Sequence, residues 1–354
     1  GGYFFAYFVV ADESDSAATS TRAAEPGNNR RNHRITREGE IIFTGKTTLD
    51  NGIQSGVQVQ LEAGTCGGQI DETFMWASGS FGRINVGAEN SSHYLMSYGS
   101  TPPSHWSMGL NSPGSLAYNR GTNTAAIPVA NSALTSDAEK ITYFTPRLNG
   151  FQFGLSYTPE NCEEANGGNC TGTYAGPQGD ATVGAQSEVI ELGANYTTKF
   201  GDTSIGLSAG WGQGDAEGTT AALAAAGVED REEWSVGARV GFSGFSLGAR
   251  YYQDDNGTSG ANTDDTAWTV GLRYATGPWG IGIQYANREV EAGVAAGVNL
   301  GKDELNAVEI GGSYDIGPGV KMTAGVQVFD TDDNLNAGGA ENDATVLLFG
   351  ASLS

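Results

Sequence analysis

Residue types able to do chemistry are sparse in this chain of 354 residues. Its three histidines, His33, His93 and His105, read as loop residues with no Ser or Asp at a recognisable spacing. A Ser-His hydrolase therefore has no support, and the chain is not read as an enzyme. Gly45-Lys46-Thr47 lacks the upstream Gly of a phosphate-binding loop. Asp330, Asp332 and Asn334 fall at the first three alternate positions of an EF-hand-like loop, but Leu335 stands where that loop requires Gly. Asp330, Asp332 and Asp333 are thus a calcium candidate set against the plainer reading of a solvated acidic loop, and no cofactor is required. Cys162 and Cys170 bracket the flexible stretch EEANGGN, which holds no His to complete a zinc site. A small loop disulfide is favoured there, implying an oxidising compartment. Cys66 is left odd, either a free thiol or a bond between chains.

The elements that must carry these residues are constrained by composition. Lys and Arg number 18 against 41 Asp and Glu, a formal charge of −23 that disfavours nucleic acid as a partner. Glycine at 54 residues with only 10 prolines and 10% aromatics excludes collagen and acidic disordered tails. No run of 18 apolar residues occurs and mean hydropathy is −0.30, so no membrane helix is expected. A transmembrane β-barrel hides in such averages, because its lipid-facing residues alternate with polar ones. The opening GGYFFAYFVVADESD is strand-like without a basic leader and reads as a mature, processed start.

Period-two alternation is regular from Gly150 onward. Phe151, Phe153, Leu155 and Tyr157 alternate with Gln152, Gly154 and Ser156; Trp234, Val236, Ala238, Val240 and Phe242 oppose Ser235, Gly237 and Arg239. Similar runs follow to Leu347, Phe349, Ala351 and Leu353. Less regular strands at about 1–12, 34–49, 53–64, 69–79, 83–91 and 138–147 bring the expected number to sixteen. Tight turns such as Ser243-Gly244 and Gly277-Pro278 alternate with long acidic loops, which describes an up-and-down barrel of the size that encloses water. Trp76, Trp211, Trp234, Trp268 and Trp279 are placed on the apolar parity at strand ends, as two membrane interfaces favour. Faces are mixed on the first two strands, with Arg37 on the apolar parity; Glu72 is also placed outward. A competing reading is an acidic Ca-binding surface β protein without channel activity. Conductance in a planar bilayer separates the two, and from a membrane-embedded enzyme as well.

Two passages carry a resemblance: Glu40-Ile41-Ile42-Phe43-Thr44-Gly45-Lys46-Thr47-Thr48-Leu49-Asp50-Asn51-Gly52, and Lys140-Ile141-Thr142-Tyr143-Phe144-Thr145-Pro146-Arg147-Leu148-Asn149-Gly150 with the strand after it. Together with Ser80-Phe81-Gly82-Arg83-Ile84-Asn85-Val86-Gly87 they resemble the general diffusion porins of Gram-negative bacteria, alphaproteobacterial type. The resemblance implies a sixteen-stranded antiparallel transmembrane β-barrel in the outer membrane, over residues 1–354. It also implies a homotrimer and a third loop folded inward, here residues 92–136, as a constriction. Family chains close on an aromatic residue, whereas this one stops at Leu353-Ser354, so a last residue is expected to be missing.

Function is then expected from the lumen. Inward parity assigns Glu62, Asp71, Arg83, Asn85, Glu89, Lys140, Glu191, Glu233, Arg239, Arg250, Arg273, Gln284, Arg288, Glu309 and Lys321 to the pore wall. The segment from Ser92 to Ser136 has no Asp or Glu and only Arg120 as a charged residue, with Glu89 and Asp137 at its roots. This predicts a passive, weakly cation-preferring channel for small hydrophilic solutes and ions. Glu160, Glu163, Glu164, Asp180 and Glu188, then Asp254, Asp255, Asp264 and Asp265, then Asp330, Asp332, Asp333, Glu341 and Asp343 make an acidic outer mouth of three loops, suited to divalent ions bridging lipopolysaccharide. Chelator is expected to lower the melting temperature; melting curves that superimpose with and without it would remove the divalent part of this expectation.

Overall fold

The computed structural model describes residues 1–13, 32–64, 70–103, 109–110, 134–161, 183, 185–260, 263–291, 294–295, 298–299, 301–333 and 343–354. The first five strands are β1 (Gly2–Glu13), β2 (His33–Thr48), β3 (Gln54–Glu62), β4 (Ile70–Gly79) and β5 (Gly82–Ala88), followed by a one-turn helix α1 (Ser92–Leu95). Next come β6 (Glu139–Phe144), β7 (Phe151–Glu160), β8 (Gln186–Phe200) and β9 (Thr203–Ala216). A loop helix α2 (Thr220–Ala226) precedes β10 (Arg231–Phe242), β11 (Phe245–Asp254), β12 (Asp265–Thr276) and β13 (Trp279–Glu291). The short pair β14 (Val294–Ala295) and β15 (Val298–Asn299) forms its own hairpin, and β16 (Lys302–Gly317), β17 (Val320–Asp333) and β18 (Ala344–Leu353) complete the wall.

All strands except β14 and β15 join one closed antiparallel barrel of sixteen, each beside its sequence neighbour, with β1 also hydrogen-bonded to β18. Closure leaves no unpaired sheet edge. The β10–β11 turn shows how the meander is made. Ser243 and Gly244 have φ of 46° and 85° between the paired Phe242 and Phe245, the positive pair that a two-residue hairpin matched to strand twist requires.

The outer face is the apolar one. Phe153, Leu155, Ile190, Leu192, Val236, Leu247, Ile283, Ile310, Leu347 and Phe349 are all exposed. Aromatic pairs form two belts on this face. Phe245–Tyr274 and Trp279–Tyr314 lie beside the short turns, at ring separations of 4.6 and 4.5 Å; Trp234–Tyr251 and Trp268–Tyr285 lie toward the long loops, at 5.2 and 4.9 Å. Amphipathic rings in two belts fit two membrane–water boundaries.

Several sequence expectations need correction. Val59 pairs with Thr73 but Leu61 pairs with Ile70, so β4 carries a β-bulge that inverts the alternation read from sequence. Trp76, opposite Gly56 and Asn85, consequently faces the lumen, and Glu72 is buried there, bonded to Gln60 and Asn90. Neither is on the outer face. His33 opens strand β2 and His93 sits in α1, so these two are not loop residues, while His105 is outside the described residues. Asp330 and Asp332 belong to extended strand β17, in register with Asn306 and Glu304, instead of a calcium loop. Asp333 ends that strand, and Asn334 lies outside the described residues.

On β1 the mixed faces resolve cleanly: Phe4 and Phe8 are exposed outside, whereas Phe5, Tyr7 and Val9 are buried inside. Arg37, paired with Ala6, does lie on the outer side, where its guanidinium donates to the Ala63 carbonyl at 3.0 Å. The inward residues of β1 pack with Leu305, Phe329, Val346, Leu348 and Leu110 into a dry cluster across the β1–β18 seam. Placing charge at the centre of the outer face opposes the fold. Ile310→Arg, midway along β16, is expected to cost about 2–4 kcal/mol, read as a lowered urea midpoint for unfolding from lipid vesicles. An unchanged midpoint would show that this face does not meet hydrocarbon.

Candidate functional site in the barrel lumen

After β5 the chain turns into the barrel and runs along the inner wall. Ser91 caps α1 by accepting from the Tyr94 amide, and its hydroxyl donates to Glu191 Oε1 at 2.6 Å. The Ser92 amide donates to Ser156 Oγ at 2.8 Å, and the Ser92 hydroxyl to the Glu191 carbonyl at 3.0 Å. Farther on, the Tyr98 amide donates to Ser208 Oγ at 2.8 Å, Arg250 to Ser97 Oγ at 2.6 Å, and Arg239 to the Gly99 carbonyl at 3.3 Å. Gln284 donates to Ser100 and accepts from the Leu110 amide at 3.0 Å. These partners belong successively to β7, β8, β9, β10, β11 and β13, so residues 91–103 cross half of the wall.

Glycine makes this close approach possible. A Cβ at Gly193 would strike the Ser92 carbonyl; at Gly237, that of Tyr98; at Gly248, that of Gly99; at Gly271, that of Thr101. Each strand thus offers a bare backbone where the segment passes, and any side chain there must displace it.

A buried polar network pins the start of the segment. His93 Nδ1 lies 3.0 Å from Glu233 Oε1, both side chains fully buried, and His93 Nε2 lies 2.7 Å from Ser235 Oγ. Ser235 also accepts from Arg250 at 3.0 Å, and Tyr252 donates to Glu233 Oε2 at 2.9 Å. Lys140 directs its ammonium to the carbonyls of Glu89, Ser136 and Ala138, tying together both roots of the segment.

Across the lumen, β2–β4 present carboxylates. Glu38 and Glu40 stand in register with the inward Phe5 and Tyr3, and Glu40 with Glu62. Oxygens of Glu40, Glu62 and Asp71 lie within 4.8 Å of one another, and all three residues are half-buried. Arg83 stands at the short-turn end of β5, in register with Ser78, its guanidinium 4.8 Å from the Trp76 ring centre and its Nε donating to Asn85 Oδ1 at 2.6 Å.

Of the residues expected to line the pore, Arg83, Glu89, Lys140, Arg239, Arg250, Arg273 and Arg288 are on lumen-facing positions of the wall, and Asp137 precedes β6. Lys140 and Arg250 are buried in the anchoring network, not open to the channel. Arg288 is paired with Asp265 at 2.6 Å, and Arg273 donates to Ser313 at 3.0 Å. Arg120, Cys66, Cys162 and Cys170 lie outside the described residues. Sequence reasoning missed Glu38 and Glu40, although their alternation with Ile41 and Phe43 carried the signal, and it missed the contacts of His93.

The sequence profile described as Gram-negative porin matches residues 5–334. No curated protein sequence matches. Among solved structures, the fold is similar to that of an anion-selective porin from Comamonas acidovorans (17% identity, TM-score 0.59, covering 100% of this chain and 99% of that one). It is similar also to a loop-deletion mutant of OmpT, an outer membrane protein of Vibrio cholerae (14%, 0.60, 100% and 98%), and to a mutant of the Rh. blastica porin (17%, 0.54, 100% and 99%). With a closed sixteen-stranded wall, two aromatic belts and a profile match over nearly its whole length, the chain belongs to the Gram-negative porins, channel proteins of the bacterial outer membrane.

Proposed function

We propose that this porin is a passive channel for small hydrophilic solutes and ions, weakly cation-preferring, with residues 92–136 as its constriction loop. The observation that carries the preference is the carboxylate wall of Glu38, Glu40, Glu62 and Asp71 on β2–β4. The facing arginines are engaged: Arg250 with Ser97 and Ser235, Arg239 with the Gly99 carbonyl, Arg288 with Asp265. Screening acts over about 8–10 Å at physiological salt, so wall charges dominate a narrow lumen more than a wide vestibule. An anion-selective porin shares this fold. The sign of selectivity is therefore set by wall residues and not by the barrel itself.

Homotrimeric assembly and contact with lipopolysaccharide complete the proposal. They are supported by Arg37 on the outer face beside exposed Phe8 and Ile35, and by the acidic loop ends. A purely monomeric product on cross-linking in mild detergent would contradict the trimer.

Reversal potentials under a KCl gradient test the channel reading. Wild type is expected to be mildly cation-selective, and combining Glu40→Gln, Glu62→Gln and Asp71→Asn should move the reversal potential toward zero with conductance retained. Strong anion selectivity that persists at high salt would overturn the reading. The close packing of the inner segment predicts a second result. Gly237→Leu must push the Tyr98 backbone off the wall, so a smaller single-channel conductance is expected from a barrel that still resists unfolding in detergent. Unaltered conductance would separate residues 92–103 from the constriction.

A further inference from the structure

The anchor of the inner segment contains a constellation that hydrogen bonding does not fully use. His93, Glu191 and Glu233 come from α1, β8 and β10, and a ligand-capable atom from each lies within 4.8 Å of the other two. All three are essentially inaccessible, at 1%, 1% and 0% exposure. His93 Nδ1 is 3.0 Å from Glu233 Oε1, yet that nitrogen makes no hydrogen bond. A buried imidazole nitrogen facing carboxylates without a hydrogen bond is costly unless a cation is shared among them.

We propose that His93, Glu191 and Glu233 form a buried site for a divalent cation of the Zn2+ class, which fastens the inner segment to the barrel wall. One nitrogen and two carboxylate oxygens suit zinc, whereas calcium takes oxygen ligands. Ligand atoms each about 2.1 Å from a shared ion at tetrahedral angles stand about 3.4 Å apart. The His93–Glu233 spacing already approaches this, and small rotations of the carboxylates close the rest. The surroundings would orient the ligands as outer partners do in metal sites. Ser235 holds His93 Nε2, Ser91 and Thr135 donate to Glu191, and Tyr252 donates to Glu233. The ion is structural, since no ligand is open to the channel.

The test refolds the full chain, without an affinity tag, in detergent with Zn2+ or with chelator, then washes both with EDTA and measures bound metal and melting temperature. Wild type refolded in Zn2+ is expected to keep about one ion per chain through the wash and to melt higher than the chelator-refolded protein. His93→Gln should lose both the ion and the increment. Glu191→Gln supplies the same test should the first variant fail to refold. Wild type that retains no Zn2+, or variants that retain as much as wild type, would overturn the proposal; zinc held only by acidic loops washes away and counts as the former.

Discussion

Hydrocarbon offers no hydrogen bonds, so a chain that crosses it in strands must pair every backbone amide within itself. In this molecule that requirement is met by a ladder running from β1 through every wall strand and back to β1. The other features follow from it. A closed sheet has one face toward lipid and one toward the interior, and the strict alternation of strand side chains divides the sequence between them. Mean hydropathy stays at −0.30 for a membrane protein because the two faces cancel.

The interior is not uniform. One side, at β1 and β16–β18, is filled by aliphatic and aromatic side chains; another, at β7–β13, is covered by the inward segment; the acidic β2–β4 sector is left half-accessible. Glycines on the covered side and hydroxyls of Ser156, Ser208 and Ser235 let a backbone without regular structure lie against a sheet with its polar groups paired. The charges that remain available to ions are consequently fewer than the charges on the inner face.

Much of this was legible in the sequence because β7–β13 alternate regularly apart from one irregularity at Glu188, and their short turns carry Gly at the required positions. The bulge in β4 was not, since Asp71 and Glu72 are adjacent polar residues and either can be read as the inward one. Glu38 and Glu40 were obscured by Arg37 just before them, an outward charge on the apolar parity that donates to the Ala63 carbonyl. The lumen glycines were visible as small residues, but which carbonyl meets which glycine depends on barrel stagger. His93 and Ser235 meet across a separation of 142 positions, a contact that spacing does not encode.

The seam has a consequence for how the molecule comes to exist. Phe4 pairs with Leu353, so the hydrogen bonds that close the wall join its first and last strands, the pair most distant in sequence, and bear the largest loop-closure cost. Until they form, β1 and β18 each present a bare edge, which favours strand addition by other chains. The dry cluster spans this junction, with Phe5, Tyr7 and Val9 on one side and Val346 and Leu348 on the other. Water in the lumen is thereby kept from competing at the junction, and pairing β1 with β18 buries apolar surface as it completes the ladder. The barrel thus latches from within, and reopening it requires wetting that cluster as well as breaking the strand pair.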